Sequence, residues 1–450
     1  MIPNIFKAYD IRGLVGSELT KQFAFSTGVA FAKFLELERE PATVVIGEDM
    51  RPSSPELAEA FSAGVTSQGL DVIRIGLAST DMLYFAAGKL NLPGAMFTAS
   101  HNPAEYNGIK LCLSGARPIG KESGLLTIEK FVREGVPVSL RPIGIENHRE
   151  MLQDYVDHLL TLVDVSAIRK LNVVVDAGNG MAGHTAPAVF SRMNVEVTQM
   201  YYELDGTFPN HEANPIDEAN LADLKEMVKK KKADIGLAFD GDADRCFLVD
   251  EKGNAVNPSL LTALIADREL QKKPGSPIIY NLISSRAVKE VVEENGGKPL
   301  RSRVGHSFIK AMMAESGAIF GGEHSGHFYF ADFWRADSGM LAALHAIAAL
   351  GTSEKTLSQL LAPYARYFAS GEINSKVSDS KLTMAGIKES YGSKPGVTTD
   401  QLDGLTVEGD TWWFNVRASN TEPLLRLNVE AKTKAQMEAL RDEVLAVIRG

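Results

Sequence analysis

The stretch IGLAFDGDADRCFLV, residues 235–249, sets how the rest of the chain is read. Ile235–Phe239 is a short unbroken apolar run, as a strand buried on both faces requires. Asp240, Asp242 and Asp244 follow at alternate positions, and Cys246–Val249 is a second strand-like run. If the backbone stays extended, the three carboxylates point the same way. Like charges held close together need a cation, and oxygen-only ligands favour Mg²⁺, Mn²⁺ or Ca²⁺ over Zn²⁺. An EF-hand is the specific rival, with Glu251 as its last ligand. Its sharp turn demands glycine where this chain has Arg245, and Cys246–Val249 reads as strand where that loop continues. A merely solvated acidic turn fits poorly, because Asp240 directly follows the apolar run.

The same order of strand, polar turn and helix recurs outward from this stretch. Val44–Ile46 precedes Gly47, Asp49 and Arg51; Val173–Val175 precedes Asp176–Gly180; Ile278–Tyr280 precedes Asn281 and Arg286. Alternating strands and helices predict α/β layers, in which ligands gather beyond the carboxyl ends of the strands. The C-terminal part differs. Trp412–Arg417 and Leu424–Glu430 are strand-like and flank a loop. Leu425, Leu427 and Val429 alternate with Arg426, Asn428 and Glu430, as in a half-buried strand. Met437, Leu440, Val444, Val447 and Ile448 then recur at helical spacing, so a small α+β unit closes the chain. Linkers are expected near Gly135–Asn147, Asp250–Asn257 and Pro363–Gly371. These divide 450 residues into four units rather than the three that length alone suggests.

Composition narrows the function classes. Hydrophobic residues are 44% and charged residues 23%, which excludes a disordered or collagen-like chain. A net charge of −10 argues against a broad nucleic-acid-binding face but leaves room for a locally positive pocket that takes a small anion. Cys112 and Cys246 are too few for a metal cluster and read as reduced core thiols of a cytoplasmic protein. The N-terminus has no signal-peptide pattern. The apolar stretch Met340–Leu350 is too short to span a membrane, so a buried helix is expected there. Lys229–Lys232 reads as the solvated last turn of a helix.

Three further clusters carry chemistry. In Thr98-Ala-Ser-His-Asn-Pro103, Ser100 sits at a tight bend beside His101, and Lys110 returns on the next strand. A hydroxyl so placed serves as a nucleophile or phosphoryl carrier, or else only satisfies loop backbone. In Gly322-Glu-His-Ser-Gly-His327, Glu323, Ser325 and His327 alternate and suit recognition of sugar hydroxyls on one face; a plain structural loop is the alternative. Arg417-Ala-Ser-Asn-Thr421 offers a guanidinium, hydroxyls, an amide and loop N–H groups, a set that fits a phosphate dianion. Gly178-Asn-Gly-Met-Ala-Gly183 also matches the dinucleotide-binding fingerprint, with Glu203 about twenty residues on. A nicotinamide-dependent dehydrogenase using Gly178–Gly183 is therefore the rival from another class. A lone match is weak, and glycines at a tight strand-to-helix turn explain it.

In this order, TASHNP (98–103), DGDADR (240–245), GEHSGH (322–327) and RASNTEP (417–423) resemble the α-D-phosphohexomutase superfamily, as does the opening Tyr9-Asp-Ile-Arg12-Gly13. The form of the last two motifs is closest to the phosphomannomutase/phosphoglucomutase branch. The phosphoglucosamine mutase branch, the alternative within the superfamily, typically has glutamine at His324 and glycine at Asn420. The resemblance implies three related α/β domains with mixed sheets, 1–140, 141–250 and 251–365, and a small α+β domain, 366–450, around a central cleft. It implies that Ser100 is a phosphoserine and that Asp240, Asp242 and Asp244 hold Mg²⁺ together with a phosphate oxygen on Ser100. Arg12, His101 and Lys110 would lie near the transferring phosphoryl group, with Arg245 adding positive charge. Glu323 and Ser325 would bind sugar hydroxyls, with His327 close to the reacting end. Arg417, Ser419, Asn420 and Thr421 would grip the phosphate that does not react, and Tyr9 and His306 would line the cleft. Related enzymes often carry a lysine just after the strand equivalent to Ile278–Tyr280. Here Arg286 is the candidate for that charge.

The implied reaction interconverts hexose 1-phosphate and hexose 6-phosphate, of mannose or glucose, through hexose 1,6-bisphosphate, which is also the primer. Lys110 or His101 is the expected proton acceptor, with His327 behind them. The expected partners are small hexose phosphates, with neither nucleic acid nor membrane, in a monomer or dimer.

Overall fold

The computed structural model describes residues 5–418 and 424–449, the side chain of His306 excepted. Ser419, Asn420 and Thr421, expected in the phosphate grip, lie outside the described residues, as does the His306 side chain. The chain forms two compact units. The first takes the chain up to Pro258, with Met313–Glu315 and Ser325–Leu360; the second takes Ser259–Met312, Ser316–His324 and the chain from Leu361 onward.

In the first unit, one sheet runs in the spatial order Ile11–Leu14, Tyr106–Leu113, Gly94–Phe97, Thr43–Glu48, Asp71–Leu77 and Glu146–His148. Thr43–Glu48 pairs in parallel with Asp71–Leu77 and Gly94–Phe97, whereas Tyr106–Leu113 is antiparallel to both of its neighbours. A second sheet runs Cys246–Val249, Ile235–Phe239, Leu171–Asp176, Val195–Met200. Ile235–Phe239 is buried throughout, as its unbroken apolar run requires, and turns back antiparallel into Cys246–Val249. An EF-hand loop has no such hairpin. The helix Gly339–Gly351 also belongs to this unit and is buried at every residue, the expected fate of the Met340–Leu350 stretch. The helix Ala222–Lys231 ends in the lysine run, with Lys232 left-handed at its cap. Neither cysteine is in a disulfide, and both are buried. No helix among the described residues is long and apolar enough to cross a membrane.

In the second unit, Pro277–Asn281 lies parallel to Lys298–Ser302 and Phe320–Gly322. A five-stranded antiparallel sheet follows, in the order Phe368–Lys376, Leu424–Ala431, Trp412–Ala418, Leu405–Glu408, Thr398–Asp400. Leu425, Leu427 and Val429 enter its core with Met437, Leu440 and Val444 of the helix Lys434–Arg449. Asn428 and Glu430 are buried as well, although the alternation predicted them outward. Glu430 accepts from the Arg286 backbone and from the Trp413 indole at 2.8 Å, so the second face of this strand is also covered.

Candidate active site

Ser100 is 5% exposed and has φ 51°, a left-handed conformation rare for any residue but glycine. Its N–H donates to the Thr98 hydroxyl at 2.9 Å, and its Oγ donates to Asp240 Oδ2 at 2.8 Å and lies 3.1 Å from His101 Nδ1. The three aspartates converge, their carboxylate oxygens within 4.8 Å of one another. They do so through a turn rather than the extended backbone expected: Ala243 is left-handed at φ 60°, and its N–H closes onto the Asp240 carbonyl. A turn brings alternate carboxylates to one point, which a strand cannot do.

Cations enter this cluster from its own loop and from distant segments. Arg245 Nε donates to Asp240 Oδ2 at 2.8 Å, and its Nη2 reaches His101 Nδ1. Lys110, on the strand beside the serine loop, donates to Asp242 Oδ2 at 2.6 Å and Asp244 Oδ2 at 2.7 Å. Arg12 Nη1 donates to Asn102 Oδ1 at 2.6 Å, and Asp10 holds its other arm. Its strand can approach because position 108 is glycine: a Cβ there would lie 2.5 Å from the Ile11 carbonyl and 2.7 Å from that of Thr98.

The electrostatics follow from burial and pairing. Burial raises Asp240, opposed by Arg245 and reinforced by Asp244 and Asp242. Burial would raise Asp242 too, but the Lys110 ammonium outweighs it and holds this carboxyl well below the usual range. Burial would discharge Lys110, yet Asp242 and Asp244 overcome it and keep the ammonium charged far above its usual range. Burial and the Arg245 and Arg12 guanidinium groups push His101 well below the ordinary histidine value, so its ring is neutral. His327 Nδ1 lies 2.9 Å from Asp337 Oδ2 and 3.8 Å from Asp244 Oδ1. Burial lowers His327, but Asp244 and Asp337 outweigh it and raise its pKa.

The cluster suits a hard cation. Asp242 Oδ1 and Asp244 Oδ1 are buried without a hydrogen-bond partner, and the donor set is oxygen only. Among the described residues, Lys110 and Arg245 are the permanent cations paired with these three carboxylates, and His327 lies 3.8 Å from Asp244.

Sequence reasoning missed four supports of this cluster. Thr80 Oγ1 donates to Asp242 Oδ2 at 2.6 Å, and its N–H to the Asp242 carbonyl at 3.0 Å. Asp337 orients His327. Asp81 accepts from Tyr155 at 2.7 Å and from Ser338, the N-cap of the buried helix, at 2.6 Å. Arg51 grips the serine loop. The available signal was the polar segment Ser79-Thr80-Asp81 after the strand Asp71–Leu77, one more copy of the strand–turn–helix order.

The glycine fingerprint takes another role. The Met181 N–H donates to the Gly241 carbonyl at 2.9 Å, and a Cβ on Gly180 would lie 2.6 Å from that same oxygen. A Cβ on Gly183 would meet the Tyr202 carbonyl at 2.3 Å. The turn is packed against protein backbone where a pyrophosphate would have to sit. Glu203 contributes its carbonyl, to Asn179 at 2.9 Å.

The remaining expected residues divide between the units. Tyr9 and Ser325 are half-buried in the first. In the second, Glu323 is 2% exposed and accepts from the Gly305 N–H at 3.0 Å. Residues 323–326 form a turn, so the alternation of Glu323, Ser325 and His327 does not put them on one strand face. Arg417 donates to Glu372 at 2.8 Å and stands opposite Arg426, whose Nη1 lies 3.4 Å from the same carboxylate. Two guanidinium groups thus share one glutamate. Arg286 departs from expectation. It donates to the Gly409 carbonyl and Glu408 at 2.8 Å and to the Asp410 carbonyl at slightly closer range, so it fastens the Leu405–Glu408/Trp412–Ala418 hairpin. Starting a helix directly after Ser285, it is turned onto that hairpin rather than left to replace a lysine.

Comparison with known proteins fits this geometry. The phosphoglucomutase/phosphomannomutase alpha/beta/alpha domains I, II and III match residues 3–136, 153–253 and 257–367, and the C-terminal domain of that family matches residues 372–447. A phosphomannomutase of Escherichia coli is 40% identical over 99% of both chains. A protein of Xanthomonas campestris named for phosphohexose mutases is also 40% identical, again over 99% of each. A phosphoglucomutase/phosphomannomutase family protein of Burkholderia thailandensis superposes with a TM-score of 0.91 at 31% identity, over 99% of this chain and 97% of that one. Four domains in order, His101, Asp240 and Arg245 gathered around Ser100, and full-length relatives lead to one conclusion: this chain belongs to the phosphoglucomutase/phosphomannomutase family of phosphohexomutases.

Proposed function

We propose that the protein interconverts hexose 1-phosphates and hexose 6-phosphates, of mannose, glucose or both, by way of a phosphorylated Ser100. The observation that carries this reading is the Ser100 hydroxyl bonded to Asp240 inside a cluster of carboxylates and cations. A phosphoryl group there adds close to two negative charges. With three carboxylates against Lys110 and Arg245, that charge calls for a divalent ion, which Asp240, Asp242 and Asp244 would hold. Mg²⁺, when bound, neutralises charge on the transferring phosphoryl group.

In the forward step, the bond between Ser100 Oγ and phosphorus breaks. A bond forms from phosphorus to the free hydroxyl of the hexose phosphate, whose proton must leave. The product is hexose 1,6-bisphosphate. After it turns end for end, its other phosphate returns to Ser100. Arg12, Arg245 and Lys110 supply positive charge along this path. His327 is favoured as the proton acceptor: Asp337 holds its Nδ1, leaving Nε2 for substrate. Lys110 is tied as an ammonium, and Arg245 occupies Nδ1 of His101. Glu323 and Ser325 would meet sugar hydroxyls, and Arg417, with Ser419, Asn420 and Thr421, the distal phosphate. Tyr9 and His306 remain candidates for the cleft lining. The domain limits near residues 140, 250 and 365 and a cytoplasmic setting belong to the same proposal.

Intact mass and phosphopeptide mapping should place one phosphate on Ser100 after incubation with hexose 1,6-bisphosphate. A Ser100→Ala variant that retains full mutase activity would refute the mechanism. Paired assays with mannose 1-phosphate and glucose 1-phosphate decide substrate preference.

A further inference from the structure

Arg51 is a large side chain only 1% exposed, and nothing in the phosphoryl-transfer scheme uses it. All four of its terminal hydrogen bonds go to one loop. Nη1 donates to the Pro103 carbonyl at 2.8 Å and the Tyr106 carbonyl at 2.9 Å; Nη2 donates to the Ser100 carbonyl at 2.9 Å and the Asn102 carbonyl at 2.6 Å. Asp49 neutralises it, with Oδ2 at 3.4 Å from Nε, and is itself held by Ser54 at 2.6 Å. Phe208 covers the guanidinium, its ring centre 5.2 Å from Cζ. Phe208 is left-handed at φ 52°, and a Cβ on nearby Gly206 would come within 2.7 Å of Arg51 Cα, so this segment is pressed against the arginine.

We propose that Arg51 is the positioning residue of the phosphoryl-carrying serine. By gathering four carbonyls of Ser100–Tyr106 it holds Ser100 in its left-handed conformation and aims Oγ at Asp240. Such a backbone conformation persists only where its surroundings over-determine it, and here one buried planar fork does so. Guanidinium geometry is required: an ammonium is a point charge with three donors and cannot serve four carbonyls spread around a plane. The Phe208 ring adds cation–π attraction and keeps water from competing for those carbonyls. The proposal rests on the reading of Ser100 as the phosphoryl carrier.

The test compares Arg51→Lys and Phe208→Leu with the full-length wild-type chain. Misplacing a reacting atom by an ångström costs about 100-fold, so Arg51→Lys should lose that much in kcat while KM for hexose 1-phosphate stays within about threefold. Phe208→Leu leaves all four hydrogen bonds in place and should lose roughly tenfold in kcat. Amide exchange across Ser100–Tyr106 should be faster in both. If Arg51→Lys does not fold, Phe208→Leu decides by the same two readouts. Folded variants with wild-type kcat and unchanged exchange in this loop would overturn the proposal. Wild-type enzyme that takes up no phosphate on Ser100 from hexose 1,6-bisphosphate would instead overturn the phosphoserine reading, while the exchange data would still judge the grip.

Discussion

The surroundings of Ser100 and those of Arg417 both collect cations, but they are built differently. Around Ser100 the charges are buried and wired to one another: Asp240, Asp242 and Asp244 are at most 1% exposed, and Lys110 and Arg245 are shared among them. Around Arg417 the charges are more open. Arg426 keeps a third of its side chain exposed, and two guanidinium groups lean on a single glutamate. Like charges directly opposite on neighbouring strands repel, and Glu372 offsets that repulsion here. On the proposed function, the first arrangement would fix atoms for bond breaking. The second, on the same proposal, would keep positive potential ready for a phosphate that comes and goes. Changes in the first should therefore appear in kcat, and changes in the second in KM.

The largest expected effect is at the proposed metal ligands. Asp242→Asn should lower kcat by about 1,000-fold or more, with activity only partly restored by excess Mg²⁺ in steady-state assays. A loss confined to KM would erase the distinction between the two regions.

Next is the stability cost of burying charge near Ser100. Asp81 is buried, and burial pushes its carboxyl up to about 6 from an ordinary 3.8. A folded-state pKa above the unfolded one gives stability that is complete below 3.8 and lost as pH rises through 6. Chemical unfolding of wild type should thus lose up to about 3 kcal/mol from this group between pH 4 and 7. Asp81→Asn should remove that component, and parallel pH profiles for the two proteins would contradict it.

In the second region, Arg417→Gln should raise KM by about 10- to 100-fold with kcat nearly unchanged, since a charge-assisted contact contributes roughly 1.5–3 kcal/mol. The smallest effect is expected from Thr80→Val, which removes the hydroxyl on Asp242. About tenfold in kcat is expected, with KM unaltered.

The two regions also differ in how much of them a reader of the sequence can see. Ser100, the aspartates and Arg417 sit in short motifs, so local order suffices to pick them out. The fold is legible for a similar reason: buried strands such as Ile235–Phe239 are unbroken apolar runs. What stays hidden is contact across the chain. Thr80 lies 162 positions from Asp242, and Arg51 reaches its loop from about fifty residues away. Each sits in a polar segment after a strand, but nothing local says which partner it reaches. Arg286 shows the opposite failure. A charge in a plausible place is bound by a hairpin more than 120 residues further on.

The first compact unit is interrupted in sequence: after Pro258 it takes Met313–Glu315 alone before resuming at Ser325. The ribosome therefore finishes the aspartate loop long before it makes Asp337 and the wholly buried helix Gly339–Gly351. A Cβ on Gly339, at the start of that helix, would lie 2.7 Å from the Arg245 carbonyl, so its backbone packs directly against the loop. A nascent chain of about 300 residues should thus show an unfilled apolar trough to the cell. For this protein, the order of synthesis makes the chemical centre among the last parts to become solid.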